Sequence, residues 1–344
     1  MDLSEGYCNK KILVTGGGGF IGSNLANRLV NLGAEVTLMD SKLINHGFNE
    51  FNLKNIKDKV KLDYSDIRDE QAVIKNISGK DIIFNLAAHV GEKNSLENPE
   101  LDREINIGGH KIVLDLILKN NPQARIIFTG SRLQYGKIED YTTCDGGVCG
   151  GSNLPISEEQ PMHPITPYAM NKMFGEQMYL KYNQKFGLKT IAVRIANPYG
   201  PRASITNPGY CIVNWFIGRA LSGKDLPVYG EGTQIRDYIF IDDVVNALVT
   251  LGVSENSIGQ VYNIGSGKGI TFVEMAQLIE KLAQNSSKVK FIPWPEDAKD
   301  RETGNFIANI NKISRETGWT PSCNLEEGLT KTFEFYKKNQ KYYL

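Results

Sequence analysis

The stretch that most limits what this chain can become is Gly16–Ser23, GGGGFIGS. It sits between a short β-branched run, Ile12–Thr15, and a segment, Asn24–Leu32, with apolar residues at helical spacing. Gly33 follows, then a second strand-like run, Glu35–Met39. Strand, glycine turn, helix and strand make a βαβ unit, the connection that parallel strands require. Within the turn, Gly16, Gly19 and Gly22 recur at every third position. Lacking side chains, they let the backbone turn sharply and approach a pyrophosphate at the helix N-terminus, where free amides and the helix dipole favour negative charge. Asp40 closes the second strand, 18 residues beyond Gly22. A carboxylate there accepts from both ribose hydroxyls of a dinucleotide and repels a 2′-phosphate, so the pattern predicts NAD rather than NADP. Lys42 is the nearby charge that argues the other way.

Similar apolar runs recur at Val60–Leu62, Ile82–Leu86, Ile126–Phe128 and Ile191–Val193, with helical patterns between them, as at Ile105–Lys119 and Tyr168–Phe186. This alternation predicts an α/β fold, a doubly wound parallel sheet of the Rossmann type with helices on both faces. After Val193 the pattern loosens, and Asn197–Tyr210 is rich in Pro, Gly, Asn and Ser. A helical stretch, Val213–Leu221, then leads to PVYGEGTQIRDYIFIDDVVNALVTL, a strand and a helix expected to return to the first sheet. Thr271, three residues before Glu274, predicts a capping box for a helix over Phe272–Leu282. The division expected is a cofactor-binding domain over 1–196, rejoined by 231–264, and a smaller discontinuous substrate domain made of 197–230 and 265–344.

Lys plus Arg and Asp plus Glu are both 39, so the formal charge is zero and there is no general field to gather polyanions. Nucleic acid is therefore not an expected partner. The apolar runs are shorter than the roughly 20 residues of a bilayer crossing, and the start, MDLSEGYCNKK, lacks the apolar stretch of a secretory signal. No membrane partner and a cytoplasmic location are expected. Five cysteines, Cys8, Cys144, Cys149, Cys211 and Cys323, are an odd and scattered set, unlike a disulfide framework. Cys144 and Cys149, in a chain with only four histidines, are at most half a zinc site, so no metal is expected.

Tyr168 and Lys172 stand four apart in PYAMNKMFGEQMY, which puts them on one face of a helix. A free phenol titrates near pH 10 and is a poor base at neutrality, but an adjacent ammonium favours the phenolate. Ser131 lies just past the strand Ile126–Phe128, where its hydroxyl reaches the same substrate oxygen, and Asn106 occupies a predicted helix where an apolar residue would be ordinary. Asp66 with Ile67 follows the third strand, where a carboxylate accepts from an adenine amino group. Leu86, Ala87 and Ala88 close the fourth strand with side chains small enough for a flat cofactor or for a packed helix. His89 comes next, near the expected substrate, and Arg132, after Ser131, is a candidate for a substrate phosphate or sugar carboxylate.

TGGGGFIG, Asp40, Asp66-Ile67, Asn85-Leu86-Ala87-Ala88, Asn106 in INIGG, TGSRLQYG and the Tyr168/Lys172 pair together resemble the extended short-chain dehydrogenase/reductases, in their nucleotide-sugar epimerase and dehydratase branch. The resemblance continues through RIANPYGPR, VYGEGTQIRDYIFIDDVV, VYNIGSG, FIPWPED and ETGWTP, and so covers nearly the whole chain. It implies Ser131, Tyr168 and Lys172 as the catalytic set with Asn106 as helper, and Phe20 and Ile21 beside the glycines at NAD. It also implies Asn197 and Arg236 at a nucleotide diphosphate, Arg202 and Arg301 among the substrate-binding residues, and a homodimer through the helices containing Asn106 and Tyr168. Two departures stand out. The dehydratases usually follow the hydroxyl residue with Asp-Glu, where this chain has Arg132-Leu133, which disfavours water elimination. The family's Arg-x-Gly-Asp turn reads Arg301-Glu302-Thr303-Gly304-Asn305 here, with the arginine displaced by one. An insertion, KIEDYTTCDGGVCGGSNL, follows Gly136 and resembles in position the longer loop of CDP-tyvelose 2-epimerase. The activity implied is NAD-dependent epimerisation of a nucleotide-diphosphate sugar, at C4 in the first reading. A C2 epimerase, a keto-sugar reductase or another oxidoreductase or decarboxylase of the branch are the alternatives, and a non-enzymatic NAD sensor is the contrasting class.

Overall fold

The computed structural model describes residues 3–43, 47–138, 143–144, 147–148, 154–284 and 286–344. Seven strands form one parallel sheet: β1 (Lys11–Thr15), β2 (Glu35–Met39), β3 (Lys61–Asp63), β4 (Ile82–Asn85), β5 (Arg125–Ser131), β6 (Lys189–Ile195) and β7 (Val261–Ile264). Their order is β7-β6-β5-β4-β1-β2-β3, and every pairing between neighbours is parallel. This is the doubly wound α/β fold. The chain winds outward from β1 to β3 and then crosses back to place β4 on the other side of β1. Strand order therefore reverses between β1 and β4, and a crevice opens at their C-terminal ends.

The strands are apolar without alternation because both sheet faces are covered; all four residues of β4 are buried, as are the last four of β1. One face packs Val14, Ile127 and Val193 under helix α1 (Phe20–Asn31) and helix α2 (Ile241–Val253), in a core that continues to Phe216, Ile279 and Leu329 of the C-terminal half. The other face packs Leu13, Ile126 and Phe128 against Val113, Ile117 and Tyr179.

Most elements foreseen from the sequence fall within a few residues of expectation. Helix α1 starts at Phe20, directly after the glycine turn. The capping box forms, with Glu274 N donating to Thr271 Oγ1 at 3.3 Å and Thr271 N donating to Glu274 Oε2 at 2.9 Å. The helix expected over Ile105–Lys119 opens differently: Glu104–Gly109 is a π-helical turn, and regular helix begins at His110. Such a bulge re-aims side chains and is frequent at functional sites. Beyond β6, short strand pairs attach the C-terminal half, among them Asn197–Tyr199 alongside Tyr238–Phe240, and Ile235–Arg236 against Ile270–Thr271. Among the described residues no helix is long and apolar enough to cross a membrane, and no group of three His, Cys, Asp or Glu is placed to hold a metal ion. Cys149 and the side chain of Cys144, with most of the insertion after Gly136, lie outside the described residues.

Candidate active site

A cleft of about 740 Å³ runs from the glycine turn, over the ends of β1, β4 and β5, to the C-terminal half. At its first end the turn leaves no room for side chains. Gly16 has φ +66°, and a Cβ on Gly22 would stand 2.1 Å from the Gly16 carbonyl oxygen. Gly16 N donates to Met39 O at 2.8 Å, joining the turn to β2. Asp40, one residue past β2, accepts from Gly18 N at 2.9 Å and from Lys42 N at 3.0 Å, so its carboxylate is fixed at the edge of the cleft. Burial pushes that carboxyl above its ordinary range, and the two amides oppose the shift. Lys42 does not border the cleft: its ammonium lies 3.4 Å from the centre of the Tyr64 ring and 5.0 Å from that of Phe48. Asp66 and Ile67 do border it, with Leu86, Ala87, Ala88, Phe20 and Ile21. Burial would raise the Asp66 carboxyl, but the two-pronged bond from Arg68, 3.0 Å and 2.9 Å, outweighs it and holds the group below the usual range.

At the centre, Tyr168 and Lys172 occupy the first turns of helix α3 (Pro167–Phe186), an element whose start is set by Thr166 as N-cap and Pro167 at the first helical position. Both side chains are buried and face the cleft together with Ser131. Lys172 Nζ donates to Thr129 O at 3.0 Å. Burial lowers its pKa to about 8, against the pull of Asp102. Burial also raises the Tyr168 phenol, as do the charges of Asp102 and Glu92. Ser131 caps the short 3-10 turn Arg132–Tyr135, and its Oγ accepts from Leu133 N at 3.2 Å, which leaves the hydroxyl proton to be donated.

The far end gathers guanidinium groups. Arg132 donates from Nε to Asn197 Oδ1 at 2.5 Å and from Nη1 to Thr303 Oγ1 at 2.9 Å; burial and the charge of Arg236 lower its pKa to about 10. Arg236 is paired with Glu302 and donates to Gly304 O at 2.7 Å. Arg301 borders the same space, as does Tyr238, whose buried hydroxyl has no hydrogen-bond partner among the described residues. Beyond them, Tyr229 and Trp294 bring their rings to 5.4 Å of each other at the cleft wall.

Three expected residues do not border the cleft. His89 is buried below the cleft, its Nδ1 3.0 Å from Asp102 Oδ1, so its ring is not presented to a ligand in the cleft. Asn106 is fully buried in the π-helical turn and exchanges hydrogen bonds with the His89 backbone at 3.1 Å and 2.9 Å; it holds the loop after β4 rather than lining the cleft. Arg202 has φ +75° and turns its guanidinium to Asn24 Oδ1 of α1 at 2.6 Å, away from the arginine cluster. Conversely, Glu92, Asp102, Asn171 and Glu302 were not foreseen. Their carboxylates and amide stand in polar runs that read as solvated surface.

The chain's residues 12–265 match the NAD dependent epimerase/dehydratase family. The chain belongs to that family. A UDP-glucose 4-epimerase of Mycolicibacterium smegmatis is 30% identical to this epimerase/dehydratase family member over 96% of this chain and 100% of its own. A UDP-N-acetyl-alpha-D-glucosaminuronate decarboxylase of Bacillus cytotoxicus is likewise 30% identical, over 96% and 98%. The solved Thermus thermophilus UDP-glucose 4-epimerase complex with NAD superposes with TM-score 0.79 at 26% identity, covering 95% of this chain and 99% of that one. The cofactor of this epimerase/dehydratase family member is NAD, and the residues present fit it. The side-chain-free turn at the start of α1 suits a pyrophosphate, Asp40 suits a ribose diol, and Lys42, which would attract a 2′-phosphate, is turned to aromatic rings.

Proposed function

We propose that the protein epimerises a nucleotide-diphosphate sugar, at C4, by transient oxidation to a keto-sugar. The observation that carries the reading is the convergence of Tyr168, Lys172 and Ser131 at the middle of one cleft, between the glycine turn and the arginine cluster. NAD, bound at the turn, supplies the hydride acceptor and later the donor, and ends unchanged. Tyr168, as phenolate, takes the proton of the sugar hydroxyl and gives it back after the sugar has turned over. The Lys172 ammonium stabilises that phenolate, and the Ser131 hydroxyl donates to the same sugar oxygen. Arg132, Arg236, Arg301 and Asn197 hold the diphosphate, for which the planar guanidinium fork is suited. Asn106 and His89 position the loop beside the sugar without touching it. Arg132-Leu133 at the place of the dehydratase acid pair argues against elimination.

The proposed division into a cofactor-binding part, 1–196 with 231–264, and a substrate part, 197–230 with 265–344, draws support from the position of β7 beside β6. A homodimer is supported by apolar side chains left in solvent on and beside α3: Met170 at 42%, Phe174 at 48% and Leu96 at 52% exposure. The activity is tested by incubating the purified protein with UDP-, dTDP-, CDP- and GDP-linked hexoses and identifying products by NMR. Inversion at C4 with no accumulation of reduced cofactor is expected. Inversion at C2, or stoichiometric reduced cofactor, assigns one of the alternative reactions instead.

A further inference from the structure

Gly91 has φ +107°, a conformation that glycine adopts without strain, and the turn it makes after Val90 starts the short helix Glu92–Glu97 at the cleft wall. Glu92 borders the cleft alongside Ser131 and Tyr168. Its Oε1 accepts from Thr166 Oγ1 at 3.4 Å, and Thr166 is the N-cap of α3, so the carboxylate is tethered to the helix that carries Tyr168 and Lys172. Its charge is close enough to bear on the Tyr168 phenol. Arg132 and Arg301 also bear on its charge, and both are committed to the diphosphate in the reading above. A part-buried carboxyl group, raised by its burial against the pull of Arg132, Arg301 and Thr166, thus borders the cleft beside the place where the sugar must react. A sugar hydroxyl would give it a charge-assisted hydrogen bond, whereas a sugar carboxylate would meet a like charge at short range.

We propose that Glu92 determines specificity: it accepts from a hydroxyl of an uncharged nucleotide-linked hexose and rejects a sugar that carries a carboxylate. This rests on the epimerase reading above and names its substrate class.

The test uses the NAD-loaded full chain, titrated calorimetrically with UDP-glucose, UDP-glucuronate and UDP, as wild type and as Glu92→Gln. The wild type is expected to bind UDP-glucose at least about tenfold more tightly than UDP-glucuronate, and the variant to bring the ratio within about twofold. Glu92→Ala reads the same ratio should the glutamine variant fold poorly. Equal or tighter wild-type binding of UDP-glucuronate, an unchanged ratio in the variants, or no binding of either sugar overturns the proposal. Because binding is read, a protein that discriminates the two sugars but epimerises neither would defeat the epimerase reading and leave this inference standing.

Discussion

Asn171 donates its Nδ2 to Asp102 Oδ2 at 2.7 Å, deep beside the catalytic helix, and the other oxygen of the same carboxylate receives Asn106 Nδ2 at 3.0 Å and faces His89 Nδ1 at 3.0 Å. Asp102 is fully buried, so this charge acts through a medium that screens it poorly. After burial itself, Asp102 is the next cause raising Tyr168, and it opposes the burial that lowers Lys172. Removing the charge, in Asp102→Asn, therefore lowers both pKa values. The rate falls as the Lys172 ammonium is lost, near pH 8. That limb of the kcat profile is expected to move toward acid in the variant. A purely structural role would reduce kcat without moving it.

The glycine turn gives a prediction with an internal control. Gly22→Ala puts a methyl 2.1 Å from a backbone oxygen, whereas a Cβ at Gly108 meets nothing within 4 Å. Gly22→Ala is expected to lose copurifying NAD and to destabilise by about 1–3 kcal/mol in denaturant melts. Gly108→Ala should stay within about 0.5 kcal/mol and keep its cofactor.

Two arginines from neighbouring motifs should separate cleanly. Arg202 bonds Asn24, which also donates to Pro201 O at 3.0 Å. Arg202→Ala is expected to cost about 1–2 kcal/mol of stability with KM within about twofold. Arg236→Gln is expected to raise KM at least about tenfold by loss of a diphosphate partner. Steady-state kinetics and thermal melts on both variants decide the assignment.

His110 sets an acid limit on the fold. Its ring is fully buried, with Nδ1 3.0 Å from Tyr179 OH and Nε2 3.1 Å from Ala87 O, and burial, helped by the Lys172 charge, lowers its pKa to about 3. The unfolded chain takes up this proton near pH 6.5 and the folded one does not, so its contribution is intact above about 6.5 and is lost as pH falls toward 3, by at most about 1.4 kcal/mol per pH unit. His110→Gln should show a flatter fall of denaturation midpoint with acid than the wild type; parallel curves would exclude this group.

What could be read in the sequence was what short-range geometry decides. A glycine every third residue after a strand, or Tyr and Lys four apart on a helix, fixes relative positions within a few residues, and Gly16, Gly22, Tyr168 and Lys172 all reach the cleft. Positions set by long-range packing were not legible. Asp102, inside ENPELDRE, reads as surface, yet α3 brings Asn171 over it from 69 residues away. Arg202 shares a motif with Asn197, but its positive φ sends it to the opposite side of the loop. The π-helical turn that buries Asn106 has no signature in a pattern read at 3.6 residues per turn.

The central claim is that the Tyr168 oxygen moves the sugar proton. Tyr168→Phe removes that oxygen and keeps the ring. Assayed on the hexose that the wild type inverts, the account predicts a loss in kcat of about 10²–10⁴ with bound NAD and melting temperature unchanged. Turnover within tenfold of wild type in a folded, NAD-loaded variant would contradict it.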